Sequence, residues 1–385
     1  MDAVIVAACR TAVGDSFRTP LAMVPARELA RTVIGEAMHR AGVNGEDVDD
    51  LVFGEVMHGG GVIGRYAAHE LGLVNVPGMA INRHCATSLS AISVAAANIM
   101  AGMSEVAIAG GVENISQTPV TRMRTPGGEV DWVSLTHPEN DEAPPMNMGI
   151  TVGENTARIA GISRDEQDAW ALRSHQRAVA AIDAGRFTDE VVPIDIDLPG
   201  GDTVTFDVDT RPRRDTTAEK LAALPPAFLD DGTVTAGNSS GLNDGAAAVV
   251  VTSARWAERR DVEPLATIRS WSAVGVDPVR TGLAPILAVP RALERAGRDI
   301  GDVDLVELNE AFASMAVACT RELGLDDEIV NVNGGGVALG HPVAATGAKL
   351  TTTLVHELGR RGGGTGLVTM CAGGGMGAAM VLDVP

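Results

Sequence analysis

A chain of 385 residues with 45% hydrophobic and 21% charged residues is long enough for two or three compact domains and is neither disordered nor fibrous in composition. Its formal charge of −20 argues against nonspecific nucleic-acid binding and against adsorption to an anionic membrane, which both need clustered Lys and Arg. An anionic small ligand is still permitted, because TRPRRDTTAEK concentrates Arg211, Arg213, Arg214 and Lys220 in one stretch.

The N-terminal MDAVIVAACRTAVG has too short an apolar run for a signal peptide, and no later stretch reaches transmembrane length. Its AVIVAA segment predicts a strand, and ELARTVIGEAMHRAG an amphipathic helix. LVFGEV predicts the next strand. GMAIN then reads as a short strand leading into CATSLSAISVAAANIMAG, where Ala86, Leu89, Ile92, Ala96 and Ile99 recur at helical spacing. Cys85 therefore falls at a strand-to-helix turn, beside a histidine. Unpaired N–H groups and the helix dipole at such a turn are expected to lower the thiol pKa. EVAIAGG follows as a strand running into glycines.

From about residue 117 to 238 the composition changes to proline, charge and mixed turns, with one long polar helix in SRDEQDAWALRSHQRAVAAIDAG. This predicts an inserted loop domain over the core. Beyond it, AAAVVVT and DLVELN predict strands, and ILAVPRALERAG a helix. EDVDDLVFGEV near the start resembles GDVDLVELNEA near residue 305, and each is followed by a glycine-bearing segment, a helix and an apolar strand ending in glycines. Two copies of one α/β unit are expected, an N-terminal half over residues 1–262 carrying the insertion and a C-terminal half over 263–385.

Chemistry-bearing residues gather where strands end, the side of an open α/β sheet on which ligands bind. Asn309 and Glu310 close DLVELNE. His341 precedes Pro342, which is expected in a helix's first turn. Cys371 ends GLVTMC and precedes a run of glycines. Taken singly these are a turn histidine, a helix cap and buried packing; together they supply a nucleophile, acid/base groups and an oxyanion donor. Cys9 and Cys319 read as packing. The four cysteines show no CxxC or Cys/His spacing, which argues against zinc and a disulfide framework and for a reducing, cytoplasmic compartment.

Seven motifs in order, RTAVG, NRHCATSLSAI, SRDEQDAWALRSHQRA, GTVTAGNSSGLNDGAAAVV, NEAFA, GGGVALGHPVAATGAK and CAGGGMGAA, resemble the thiolase family of acetyl-CoA acetyltransferases and 3-ketoacyl-CoA thiolases over nearly the whole length. The resemblance implies a five-layered αβαβα fold, two similar halves with an inserted loop domain, and a homodimer or homotetramer. It implies Cys85 as acyl-accepting nucleophile, His341 as its base and Cys371 as a second acid/base thiol. Asn309 would hold a water that stabilises the enolate with His341, and the N–H groups of Cys85 and Gly373 would form an oxyanion hole. Ser240, Met148 and Arg213 or Arg214 would contact the CoA thioester. No metal or tightly bound cofactor is implied; acyl-CoA and coenzyme A are substrates.

The implied reaction cleaves a 3-ketoacyl-CoA with CoA to acetyl-CoA and a shortened acyl-CoA, or runs backwards as a Claisen condensation. A short-chain acetoacetyl-CoA-specific acetyltransferase and a non-catalytic lipid carrier are the alternatives; a decarboxylating or HMG-type condensing enzyme fits the Cys371, NEAFA and GHPVAATGAK motifs less well. The chain also departs from the family pattern, in part in the nucleophile loop, which lies near the substrate. The nucleophile loop reads CATSLSA rather than carrying a Ser-Gly pair, Asn147-Met148-Gly149 stands where short-chain members show His-Met-Gly, and Ala344 and Thr346 replace commoner Gly and Ser.

Overall fold

The computed structural model describes residues 2–58, 61–133 and 135–385. Its strands are Ala3–Thr11 (β1), Asp50–Gly54 (β2), Gly78–Ile81 (β3), Val106–Glu113 (β4), Asn243–Ser253 (β5), Ala266–Gly275 (β6), Leu305–Leu308 (β7), Gly364–Ala372 (β8) and Met376–Val384 (β9). The Ala- and Val-rich β1, β4 and β5 are buried at every position, as strands covered on both faces must be.

These strands follow the order β7-β8-β9-β6-β1-β5-β4-β2-β3. Read outwards from the centre, each half repeats one pattern. β1 pairs with β5 and β5 with β4, both antiparallel, and β4 pairs parallel to β2. Likewise β6 pairs with β9 and β9 with β8, both antiparallel, and β8 pairs parallel to β7. The halves join where β1 and β6 pair antiparallel at Ala3–Ile268, Val4–Thr267 and Ile5–Ala266. The internal repeat visible in the sequence is thus a repeated topology.

The helices repeat too. Ala26–Ala41 (α1) and Thr87–Met100 (α2) serve the first half, and Arg164–Asp183 (α3) belongs to the inserted region. Pro285–Ala296 (α4), Ala313–Leu323 (α5) and Thr346–Arg361 (α6) serve the second. Three apolar clusters mark the layers. One packs α1 on the outer face of the first half-sheet. A second holds α2 and α6 between residues of both half-sheets, such as Val249, Val251, Met380 and Leu382. The third packs α4 and α5 on the outer face of the second half-sheet. The result is the α/β arrangement of five layers, αβαβα.

The insertion carries the hairpins 122–131 and 194–206 and helix α3, whose start is fixed by a reciprocal capping box between Ser163 and Glu166. It is tied to the sheet by Arg10 on β1. The Arg10 guanidinium, fully buried, donates to Glu190 at 2.6 Å and to both oxygens of Asp209 at 2.8 and 2.9 Å. Removing one partner of such a buried pair strands uncompensated charge. Arg10→Ala is therefore expected to lower the unfolding free energy by about 3–5 kcal/mol in denaturant titration. Arg10→Lys should recover only part, lacking the planar fork; an unchanged midpoint in Arg10→Ala would refute the anchoring role.

Candidate active site

Cys85 lies between β3 and α2, in the turn the sequence predicts, but the helix begins only at Thr87. The turn is tight. His84 adopts φ 47°, in the left-handed region, Thr87 N–H donates to His84 O at 3.0 Å, and Arg83 N–H donates to Thr87 Oγ1 at 2.7 Å. The expectation of a lowered thiol pKa is overturned. Burial pushes the Cys85 thiol up to about 11, against the opposing pull of N–H groups from Gly373 and from Cys85 itself, while nearby Glu113 adds to the rise. Peptide dipoles at this turn do not outweigh the loss of water.

Cys371, at the end of β8, is buried, and its Sγ–H donates to Met315 Sδ at 3.4 Å. Burial and the nearness of Cys85 push its thiol well above the ordinary range. The two thiols, one from each half, thus share one site. Gly373 stands beside them; a Cβ there would lie 3.4 Å from Thr136 Cγ2, 3.6 Å from His84 Cγ and 3.6 Å from Met148 Sδ. Met148 is therefore at the site, brought in by the inserted region.

Pro342 is not in a helix's first turn. His341 and Pro342 occupy a loop, and α6 starts four residues later, at Thr346. The loop is shaped by side chains: His341 N–H donates to Asn243 Oδ1 at 2.9 Å, and Ala344 N–H to Glu113 Oε2 at 3.3 Å. His341 Nδ1 lies 2.6 Å from Thr346 Oγ1, and Thr346 O–H donates to Pro342 O at 2.8 Å. With the hydroxyl proton spent on that carbonyl, Thr346 accepts from Nδ1–H, and the lone pair falls on Nε2. Asn309 Nδ2 approaches Nε2 at 3.4 Å as a donor. Burial, with Lys349 nearby, holds the imidazole down at about 3, so it is neutral.

Asn309 does not cap α5, whose N-cap is Phe312. Its Oδ1 is buried and accepts no hydrogen bond among the described residues. Its neighbour Glu310 fixes the loop, accepting from Trp170 Nε1 at 2.9 Å and Ser174 Oγ at 2.6 Å on α3, and from Val337 N–H at 3.1 Å.

The CoA-contact candidates are spread more widely. Ser240 N–H donates to Ala311 O at 3.0 Å, beside the Asn309 loop. Arg214 is engaged by Asp183, at 2.7 and 2.6 Å. Arg213 is exposed and makes no ion pair among the described residues, while its N–H donates to His175 Nδ1 at 3.2 Å. Cys9 and Cys319 are fully buried, donating to Val33 O and Gly282 O, both at 3.4 Å. Sequence reasoning missed Asn243 and Glu113 and saw Thr346 only as a departure. Asn243 and Glu113 shape the His341 loop from strands far away in the chain, which no local motif announces, whereas Thr346 acts from the head of the helix that follows the loop. Among the described residues no His, Cys, Asp and Glu group is arranged to hold a metal ion.

The duplicated α/β fold thus brings one thiol from each half to a single site. The chain matches the family descriptions "Thiolase, N-terminal domain" over residues 3–255 and "Thiolase, C-terminal domain" over residues 262–384. It is 45% identical to the acetyl-CoA acetyltransferase of Pseudomonas aeruginosa, covering 99% of each chain. It is 43% identical to the 3-ketoacyl-CoA thiolase of Bacillus subtilis, over 100% of this chain and 99% of that one. The crystal structure of the Bacillus anthracis acetyl-CoA acetyltransferase superposes with a TM-score of 0.93 at 41% identity, over 100% of this chain and 99% of that one. The chain belongs to the thiolase family, whose chemistry is the cleavage or Claisen condensation of CoA thioesters, with CoA as substrate.

With its thiol raised by burial, Cys85 in the free protein should react with iodoacetamide at a rate that climbs about tenfold per pH unit between pH 7 and 10. Peptide mapping assigns the label. A plateau near pH 7 would show a thiolate already formed and contradict the burial argument.

Proposed function

We propose that this thiolase cleaves 3-ketoacyl-CoAs with CoA to acetyl-CoA and a shortened acyl-CoA, through an acyl group carried on Cys85. The observation that carries the reading is the meeting of Cys85 and Cys371 beside the Gly373 N–H. His341 Nε2 takes the Cys85 proton, and the thiolate attacks the 3-keto carbon. The C2–C3 bond breaks, its electron pair forms the acetyl-CoA enolate, and Cys371 protonates C2. CoA then gives its thiol proton to the Cys371 thiolate and attacks the acyl carbonyl, and Cys85 leaves and recovers its proton from His341. The N–H groups of Cys85 and Gly373 face the charge that develops on the acyl oxygen, where one donor is commonly worth about 2.7–4 kcal/mol. Asn309 Oδ1, buried and without a hydrogen-bond partner among the described residues, suits a water serving the enolate oxygen.

Burial keeps both Cys85 and His341 neutral in the resting site, so the ion pair forms only as substrate charge develops. Ser240 and Arg213 are the CoA contacts this reading favours, since Arg214 already holds Asp183. A homodimer or homotetramer is part of the reading. It is supported by β3, which among the described residues pairs only with β2 and leaves its outer edge, with Met79 41% exposed, open to a partner. Four free cysteines support a reducing, cytoplasmic setting.

Two experiments test these roles. Cys85→Ala should form no acyl-enzyme, whereas Cys371→Ala should still acylate at Cys85 yet turn over at least about 10²-fold more slowly; normal turnover in either sinks its assignment. Thr346→Val should lower kcat about 10²-fold by releasing the Nδ1 tautomer, while Thr346→Ser keeps most activity. Equal loss in both variants would make Thr346 a packing residue only.

A further inference from the structure

Thiolase chemistry leaves the residue before the nucleophile unassigned. His84 is held at φ 47°, half-buried, its N–H turned back to Asn82 Oδ1 at 2.9 Å. Among the described residues nothing hydrogen-bonds either ring nitrogen. The ring stands against Gly373, whose N–H reaches the Cys85 sulfur, the atom that carries the acyl group in the proposed reaction. The inserted region reaches the same point, with Thr136 and Met148 also beside Gly373 and His137 near His84. His137 has no free valence, with Nε2 2.7 Å from Ala143 O and Nδ1 2.7 Å from Thr136 Oγ1. Of the two neighbouring histidines, only His84 offers a donor and an acceptor to a ligand.

We infer that His84 is a specificity residue, hydrogen-bonding an oxygen substituent of the acyl chain close to the thioester, so that oxygenated 3-ketoacyl-CoAs are preferred to plain alkyl ones. An alkyl chain laid over the ring would strip its nitrogens of water and return nothing, and a site built around a polar group rejects the analogue that lacks it. The ring is neutral, because burial and His137 both hold its pKa below the ordinary value. A neutral imidazole accepts from a hydroxyl and donates to a carbonyl or carboxylate, so recognition is through an oxygen rather than a particular charge.

The inference rests on the thiolysis proposed above, and its test separates the two. Thiolysis rates are compared for 3-oxohexanoyl-CoA, 5-hydroxy-3-oxohexanoyl-CoA and 3-oxoadipyl-CoA, which share a six-carbon chain, with wild type and His84→Leu. Wild type should favour at least one oxygenated substrate by roughly tenfold or more in kcat/KM, and His84→Leu should bring that ratio near or below one. A hydroxyl-only preference identifies a neutral ligand, a preference extending to the carboxylate an ionised one. Turnover of the alkyl substrate equal to the others in wild type, or a preference that survives in His84→Leu, overturns the inference and leaves thiolysis standing; no turnover of any substrate overturns both. Should His84→Leu not fold, His84→Phe, which keeps an aromatic ring but removes its nitrogens, is read in its place with the same expectation.

Discussion

The site depends on how closely the two central helices approach. A Cβ on Gly347 of α6 would lie 2.4 Å from the backbone N of Leu89 on α2, and Ala348 N–H donates to Ser88 Oγ at 2.9 Å. Only glycine permits this contact. It brings the heads of α2 and α6 side by side, and with them the Cys85 turn of one half and the His341 loop of the other. Gly111 at the end of β4 completes the fit, since a Cβ there would meet Ala344 O at 2.2 Å. A wider helix pair would separate groups that must act within hydrogen-bond reach, and misplacement by about 1 Å can cost 10²-fold in rate.

The same closeness sets the electrostatics. With both faces of the sheet covered, the site has little water to stabilise charge, so the Cys85 thiol rises, the His341 imidazole falls, and Glu113 rises to about 8. Glu113 still accepts from Met57 N–H at 3.2 Å and Ala344 N–H at 3.3 Å. A resting site without charge lets oriented N–H groups and a fixed tautomer act on charge as it appears, in a medium that screens it weakly.

The strands and helices that carry the site were legible from period and composition, and Asn309 and Cys371 were visible at the ends of apolar strands, whereas Cys85 lies four residues past its strand and His341 follows a short helix, Gly336–Leu339, rather than the expected strand. The duplication was legible in EDVDDLVFGEV and GDVDLVELNEA, which fold as the equivalent strands β2 and β7. What was not legible depends on distance along the chain. The direction of the Cys85 shift could not be read from a helix head, since it reflects burial in the folded chain. Pro342 suggested a helix start, yet the His341 loop is held by Asn243 and Glu113 and delays α6 to Thr346. Arg213 and Arg214 were indistinguishable until Asp183 was seen to occupy one of them.

The central claim is that the two halves each contribute one thiol to a single site. Treating the native protein with a short thiol-to-thiol cross-linker and mapping the joined peptides tests it directly. The account predicts one intramolecular link, between Cys85 and Cys371, formed together with loss of thiolysis and absent in the unfolded chain. A link through Cys9 or Cys319 instead, or a linked protein that keeps full activity, would contradict it.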